Sequence, residues 1–545
     1  MTQNIKHIVY LMLENRSLDN VLGWLYADTG NKPTYNYPAQ KNPTYNGLLQ
    51  NTYFNYDANG TKHWVTKGTN GYMNVPSLDP YEEYEHVNNQ LFENMATPVP
   101  PYNPTIGGFY KDFETFYDSP YQIMQTYTPA DLPIINGLAR SYAVSDKYFS
   151  SLPTQTNCNR AFAATGNSLG LDDKGVLTSW VNNHFASIWS GDPKKLLVKF
   201  NQRTIWNTFS DSGRNSPNDW MIYYSDVWDE GFCYTRDIFT QLQAKKFDNH
   251  FDNIDTFFSK AKNGTLPFFS FLEPEWGLKM WHIGTNGNDY HPPCNLPPGE
   301  AFLWKVFTAL RSNTAAWNNT LFIVNFDEHG GTYDHVKTPG NAVQPWQNMP
   351  FPGNTPKPAN YEFGFQCDRY GVRVPLLLIS PYINAQTVFR SSLPAPMDNL
   401  DHTSVIATIL KLAGINISAA KLGARVWKAP TFEGVINRTT PRTDMIQLTP
   451  GLGKEHADTI QAPYNDLQLG MANSVLMHYA QKKKVAVEMM KPVYKKYFTK
   501  KTNTVQELSK ALHDTLDELK EMTAKKTKAV TKKADKTTKG AAKKK

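Results

Sequence analysis

Five apolar runs constrain the fold most: His7–Leu13, Ala143–Ser145, Pro267–Leu272, Leu321–Phe326 and Val374–Ser380. Three of them hold continuous β-branched or aromatic residues. A strand of that kind has no face to offer water, so it belongs in a sheet covered on both sides, as parallel strands are. Patterns of helical period lie between the runs, at Ala130–Ala139, Ile254–Ala261, Gly299–Ser312 and Thr403–Ala413. This alternation predicts an α/β fold, with a mostly parallel central sheet and helices on both faces. In such sheets ligands sit beyond the carboxyl ends of the strands, and several chemically capable residues of this chain fall there.

With 40% hydrophobic and 13% aromatic residues in 545, the chain can bury a large core, which excludes a disordered protein. The formal charge of +7 is unevenly spread. From Gln481 to Lys545 there are about 20 lysines against 7 acids, so an acidic body carries a basic tail. The apolar run that opens the chain is too short for a signal peptide and ends on Glu14. No stretch approaches the ~18 apolar residues of a membrane span. Cys158, Cys233, Cys294 and Cys367 are too few for a disulfide framework. These features predict a protein that is not exported and stays in the cytoplasm.

Tyr26–Pro76 is rich in Tyr, Asn, Gly and Pro and lacks a clear period; it reads as a lid insertion over the sheet. Beyond Pro450 the composition shifts. Asp466–Lys482 and Val485–Tyr497 read as helices, and Thr504 with Glu507 fits a capping box. Leu508, Leu512, Leu516 and Leu519 then form one apolar stripe, suited to docking on the body or on a partner helix. From Thr523 the chain is mostly Lys, Ala and Thr, which predicts a disordered polycation able to bind nucleic acid or another polyanion without sequence preference. The predicted organisation is a catalytic domain over 1–450, a helical extension over 451–522 and the tail over 523–545.

Glu14-Asn15 and Asp327-Glu328 each follow a predicted strand. Converging, they would present three carboxylates and an amide oxygen, a hard donor set for a divalent cation; taken singly, such acids also cap helices. Leu152-Pro-Thr-Gln-Thr-Asn-Cys-Asn-Arg160 precedes a helical start. A hydroxyl there, Thr154 or Thr156, either caps the helix or serves as a nucleophile beside a cation. Prolines after His291 fix a turn that aims an imidazole, and His402 opens a further helix, where it either faces the site or caps.

These segments resemble a known family in their order. Ile5 through Ser17, Asp146-Lys-Tyr-Phe149 with Pro153, Thr156 and Asn159-Arg160, and Glu273-Pro274 are similar to motifs of the phosphoesterase family of bacterial phospholipases C and acid phosphatases. His291-Pro-Pro293, Phe326–Gly331, Tyr333–Val336, Gly371–Pro375, Ile379–Tyr382 and Asp401–Ser404 follow in the same order, so the resemblance spans about residues 5–415. It implies an alkaline phosphatase/sulfatase-like core and a metal-dependent phosphoester hydrolase. It further implies that Glu14, Asn15, Asp327 and Glu328 bind one divalent ion (zinc, calcium or magnesium). Thr156 would be the nucleophile and His291 the phosphate-side histidine, with Asn159, Arg160, His329, His402 and Glu82 around the substrate. The substrate would be a phospholipid or a phosphomonoester. Three positions depart from the family pattern: Glu82 in place of a histidine in Asp79-Pro-Tyr-Glu82, Ser225 in place of a histidine after Tyr223-Tyr224, and Cys158 in place of a proline. His86, His282, His329 and His335 are available to compensate. The alternative is a catalytically weak binding protein that keeps the fold and uses its tail.

Overall fold

The computed structural model describes residues 5–27, 32–115, 119–183, 199–225, 231–276, 287–350, 353–395, 397–451, 453–454, 464, 466–498 and 504–541. Nine strands make the central sheet: β1 His7–Leu13, β2 Tyr35–Tyr37, β3 Ala143–Ser145, β4 Trp220–Tyr224, β5 Phe251–Asn253, β6 Phe269–Leu272, β7 Thr320–Phe326, β8 Leu376–Ile379 and β9 Thr387–Phe389. Their order across the sheet is β5-β4-β6-β1-β7-β8-β3-β9-β2. All neighbours pair parallel except β8, which is antiparallel to both β7 and β3. The helices used below are α1 Tyr84–Phe92, α2 Pro133–Ser141, α3 Thr156–Thr165, α4 Ile254–Asn263, α5 Pro297–Arg311, α6 His402–Leu412, α7 Asp466–Lys483, α8 Val487–Tyr497 and α9 Val505–Ala541.

The sheet's centre is the most apolar part of the chain. Ile8 to Leu13 on β1 and Leu321 to Val324 on β7 are at most 2% exposed. At ~25 cal/mol per Å² of apolar surface, two such strands anchor the core. Their register decides where the chemistry lies. Leu13 pairs with Phe326, so the next residues, Glu14-Asn15 and Asp327-Glu328, emerge side by side at adjacent strand tips. The segment after β7 crosses these tips before β8 enters the sheet from the same end, which is why β8 runs against its neighbours.

At that end a buried guanidinium ties the crossing segment down. Arg373 donates to Asp334 Oδ1 and to Asp19 Oδ1, both at 2.9 Å, and to the carbonyls of Asn46 (2.8 Å) and Asp146 (3.0 Å). Asp19 also accepts from the His335 backbone N–H (2.7 Å) and approaches its ring Nδ1 at 2.6 Å. Burial lifts the Asp334 carboxyl to about 6, while His335 and Arg373 outweigh burial at Asp19 and hold it low.

Two expectations change. The 26–76 segment is more than a lid: Tyr35–Tyr37 joins the main sheet as its edge strand, and Phe54–Tyr56 pairs with Lys62–Trp64 as a hairpin. Its Leu48 and Val65 share a second core with Trp24, Val87, Leu91 and Phe109. The chain after Thr523 also differs, since α9 continues to Ala541. Alanine and lysine are good helix formers, and α9 meets glycine only at Gly540 and no proline, so propensity extends a helix that tertiary contacts begin. Those contacts follow the stripe: Leu508, Leu512, Leu516 and Leu519 are buried in one cluster with Leu467, Met471 and Val475 of α7. The capping box forms, with Thr504 N–H donating to Glu507 Oε2 (3.1 Å) and Glu507 N–H to Thr504 Oγ1 (3.3 Å). Among the described residues no helix is long and apolar enough to cross a membrane. All four cysteines are free.

Glu300 on α5 caps α2 from a distance, accepting from the N–H groups of Ile134 (2.6 Å) and Ile135 (2.9 Å) and from the Tyr290 hydroxyl (2.7 Å). Burial raises its carboxyl to about 7, against those hydrogen bonds. The folded state therefore holds this proton more tightly than the unfolded chain does. Its contribution is complete below about pH 4.5 and is lost as pH rises through 7. Relative to Glu300→Gln, wild-type unfolding free energy should fall by about 3 kcal/mol between pH 4.5 and 8 in denaturant titrations. A difference independent of pH would contradict this.

Candidate active site

Asn15 takes a left-handed conformation (φ 51°), which an asparagine tolerates. Gly330 lies so close beneath it that a Cβ there would stand 2.2 Å from the Asn15 carbonyl oxygen, so only glycine fits. Asn15 N–H donates to Asp327 Oδ1 at 3.1 Å, locking the two tips together. Thr156 opens α3, preceded by an N-cap, Gln155, whose side chain makes no capping bond. The Thr156 hydroxyl does not cap either: it faces Glu14 Oε2 at 3.1 Å and Asn15 Oδ1 at 3.3 Å. The Thr154 hydroxyl points elsewhere, to the Val181 carbonyl (2.8 Å) and Asn182 Oδ1 (2.9 Å). Of the two threonines, only Thr156 meets the strand-tip residues.

Glu14, Asn15, Thr156, Asp327 and Glu328 are wholly buried. Arg160, one turn further along α3, is the cation among them. Its Nε donates to Glu14 Oε1 at 2.7 Å, its Nη2 also contacts that oxygen, and Nε lies 3.4 Å from Asp327 Oδ2. Trp276 covers its guanidinium at 4.6 Å. One positive charge does not balance this group of acids. Burial, with Asp327 beside them, pushes the Glu14 and Glu328 carboxyls well above the ordinary range, and Arg160 opposes this at Glu14. Asp327 Oδ2 and Glu328 Oε1 are buried without a hydrogen-bond partner. Asp327 Oδ2 has only the Arg160 guanidinium at ion-pair distance and Glu328 Oε1 lacks a hydrogen bond, and undersatisfied oxygens in an anionic oxygen-rich set fit a divalent cation.

The other side of Asn15 faces a second group. Its Nδ2 lies 3.1 Å from Glu82 Oε2 and 2.9 Å from His291 Nε2. Asp79, Glu82 and His291 each bring one ligand atom within 4.8 Å of the others. Glu82 is pushed well upward by burial first, then by Glu328 and Asp79.

Several residues expected at the substrate stand behind the site instead. Asn159 clamps the loop before α3: its Oδ1 accepts from Leu152 N–H (2.9 Å), and its Nδ2 donates to the carbonyls of Thr154 (2.8 Å), Leu152 and Gln155 (both 3.2 Å). His329 Nε2 meets Gln90 Oε1 at 2.8 Å, and burial lowers its ring to about 3, so it is neutral. His402 is fully buried; its Nε2 donates to the Phe326 carbonyl (3.0 Å) while Nδ1 faces Ser151 Oγ at 3.0 Å. Among the described residues, the other histidines do not fill the place of Glu82. His86 is 3.0 Å from Asp112, His335 belongs to the Arg373 network, and His282 lies outside the described residues. Cys158 is a buried thiol with its Sγ 3.7 Å from the Asn182 carbonyl, and burial raises it well above its usual value. Trp276, two residues after Glu273-Pro274, was not legible as a site residue. Glu273 itself accepts from Trp276 Nε1 (3.1 Å), Tyr234 N–H (3.1 Å) and Thr235 N–H (2.8 Å), and so carries that tryptophan to Arg160.

A family model described as the Phosphoesterase family matches residues 5–416. Non-specific phospholipase C3 of Arabidopsis thaliana is 31% identical over 453 residues, 82% of this chain and 76% of its own length. Non-specific phospholipase C6 of the same plant is 32% identical over 453 residues, covering 82% and 75%. The hemolytic phospholipase C of Pseudomonas aeruginosa is 23% identical over 443 residues, covering 76% of this chain and 53% of that one. Among solved structures, the chain is similar to a protein of the alkaline phosphatase superfamily from Vibrio parahaemolyticus, with a TM-score of 0.28 and 13% identity over 65% of this chain and 82% of that one.

Because His402 joins the end of β7 to the Ser151 loop, its loss should act on stability. His402→Ala leaves buried partners unbonded and should cost about 1–3 kcal/mol in denaturant titrations. KM at a temperature where the variant is folded should stay unchanged; a severalfold rise in KM with unaltered stability would return His402 to the substrate.

Proposed function

Because this chain belongs to the Phosphoesterase family and is a phosphoric ester hydrolase, we propose that it cleaves phospholipids on the glycerol side of the phosphodiester, with Thr156 as nucleophile. The observation that carries the nucleophile is the Thr156 hydroxyl, held by Glu14 and Asn15 at the first turn of a ten-residue helix. The names of the plant and bacterial relatives support the substrate class.

Glu14, Asn15, Asp327 and Glu328 would hold one divalent cation, with Thr156 beside it. When bound, such an ion neutralises the carboxylates and makes a neighbouring hydroxyl more acidic. The chain's own residues do the rest. Glu14 accepts the Thr156 hydrogen and fixes its direction of departure. Arg160 holds Glu14 in place and lends positive charge. The start of α3 offers backbone N–H groups and a favourable dipole to negative charge. Thr156 Oγ1 forms a bond to phosphorus as the bond to the glycerol oxygen breaks, and diacylglycerol leaves with a proton from the His291 side. Water then displaces Thr156 from the phosphodiester that joins it to the headgroup, releasing the phosphorylated headgroup and restoring the hydroxyl. The family membership and the phospholipase C relatives favour hydrolysis over the binding-protein alternative.

The test is release of phosphocholine from phosphatidylcholine vesicles, with p-nitrophenyl phosphate as the monoester control and metal analysis of the purified chain. Wild type should carry a divalent metal and favour the phospholipid. Asp327→Ala should lose the metal and at least ~10³-fold in kcat/KM, the scale of a lost electrostatic stabiliser. Unaltered metal content and activity in that variant would defeat the metal assignment. Turnover of the monoester alone would defeat the phospholipid assignment.

A further inference from the structure

The hairpin of the 26–76 insertion turns the wrong way round for its sequence. Phe54 pairs with Trp64, Asn55 with His63 and Tyr56 with Lys62. Side chains alternate between the faces of a strand, so Phe54, Tyr56, Lys62 and Trp64 share one face and Asn55 and His63 the other. A hairpin packed on a core ordinarily turns its rings inward and its polar groups out. Here the polar pair faces the body. Asn55 is buried; its Oδ1 accepts from the Tyr110 N–H (3.1 Å) and its Nδ2 donates to the Ile106 carbonyl (2.9 Å). His63 stacks on the Tyr110 ring at 3.8 Å. Tyr56 and Trp64 are left 44% and 42% exposed. A slip of one residue would turn the rings inward, and the contacts of Asn55 and His63 hold the register against it.

Lys62 is the charged member of the outer face. Its Nζ lies 3.9 Å from the centre of the Phe54 ring, 4.9 Å from that of Trp64 and 5.9 Å from that of Tyr56. The nearby acid, Asp57, is spent on the hairpin's own turn: Oδ1 accepts from the N–H groups of Asn59 (2.9 Å) and Thr61 (2.7 Å), and Oδ2 meets His63 Nε2 at 3.1 Å. Aromatic rings beside a lysine match the boundary of a lipid layer, where Trp and Tyr settle among the headgroups and an ammonium meets phosphate. Size points the same way. Three residues span roughly 10 Å and paired strands lie about 5 Å apart, so the face falls far short of the ~800 Å² that each partner gives to a stable protein interface. The hairpin also stands at the strand-tip end of the sheet. The Tyr53 ring, just before it, lies 4.3 Å from that of His335, and Phe109, next to Tyr110, meets His329 edge-on at 6.1 Å.

We propose that Phe54, Tyr56, Lys62 and Trp64 form a docking face that seats the enzyme on a phospholipid surface. This rests on the phospholipid reading above and names the surface that serves it. The rings enter the headgroup layer, and Lys62 exchanges its place over them for a lipid phosphate. Asn55 and His63 hold the hairpin from behind, so the face is formed before the lipid arrives. Its effect falls on how much enzyme sits at the layer, and therefore on KM for substrate in vesicles; the chemistry at Thr156 is untouched.

The experiment compares the full chain with the double variant Tyr56→Ser, Trp64→Ser and with Lys62→Glu. Binding is read by flotation with vesicles of phosphatidylcholine, alone or with a minor share of phosphatidylglycerol. Turnover is read on the same vesicles and on a short-chain phosphatidylcholine kept below its micelle concentration. The double variant should bind both vesicles about 10-fold more weakly or worse and raise KM on vesicles to match, with turnover of the monomeric lipid and the melting temperature unchanged. Lys62→Glu should lose most on the vesicles that carry phosphatidylglycerol, and the loss should shrink as salt is added. Vesicle binding by both variants equal to wild type overturns the docking face, whether or not the enzyme hydrolyses phospholipid. So does a wild-type dimer that the double variant converts to monomer with vesicle affinity unaltered, since the face would then belong to a second copy. Weakened vesicle binding in a chain that cleaves neither lipid would keep the face and remove the phospholipid reading instead.

Discussion

Taking several carboxylates out of water at the tips of two neighbouring strands is the constraint on which the rest of this structure depends. Parallel pairing of β1 with β7 brings Glu14 and Asp327 together whatever their charge. Burial then makes each ionised form costly, and proximity makes it costlier. The surrounding structure answers this. Arg160 reaches back from α3 to Glu14, so the helix that carries Thr156 is positioned by the charge it neutralises. Asn15 N–H satisfies one oxygen of Asp327, and Gly330 N–H satisfies Glu328 Oε2 at 2.6 Å. Oxygens left over are those a cation would take.

A second buried pairing supports the first from outside. The Arg373 network joins residues near 19, 46, 146, 334 and 335, and so holds in one place the loop after β1, the insertion, the end of β3 and the segment crossing from β7 to β8. None of these groups touches Thr156. Their work is to keep the crossing segment, which begins with Asp327-Glu328, pressed on the strand tips. Removing one partner from such a buried set typically costs 3–5 kcal/mol, since a charge is left uncompensated.

What could be read in advance follows from these same forces. The bounds of β1 and β3 are legible to the residue, because continuous apolar runs end sharply at polar ones. The pairs Glu14-Asn15 and Asp327-Glu328, and Thr156 before Arg160, are legible as motifs, though only the register of β1 against β7 shows that they converge. Trp220–Tyr224, Phe251–Asn253, Thr387–Phe389 and Tyr35–Tyr37 escape notice as strands. They are short, three of them span only three residues, and their apolar signal is lost among aromatic loops. The backward direction of β8 is set by a connection over the sheet, which no local pattern records. Asn159 and His402 look like substrate groups from their neighbours in sequence. Their partners, which lie in the loop and at the strand end behind the site, make them braces.

The Thr156 oxygen is the atom proposed to take the phosphoryl group. Acid quenching of the enzyme during steady turnover of phosphatidylcholine, followed by mass spectrometry of its peptides, tests that directly. The account predicts a headgroup phosphate on Thr156 and none on Thr154. Phosphate found on Thr154, or an unmodified Thr156 in an enzyme quenched while active on a substrate whose second step is slow, would contradict it.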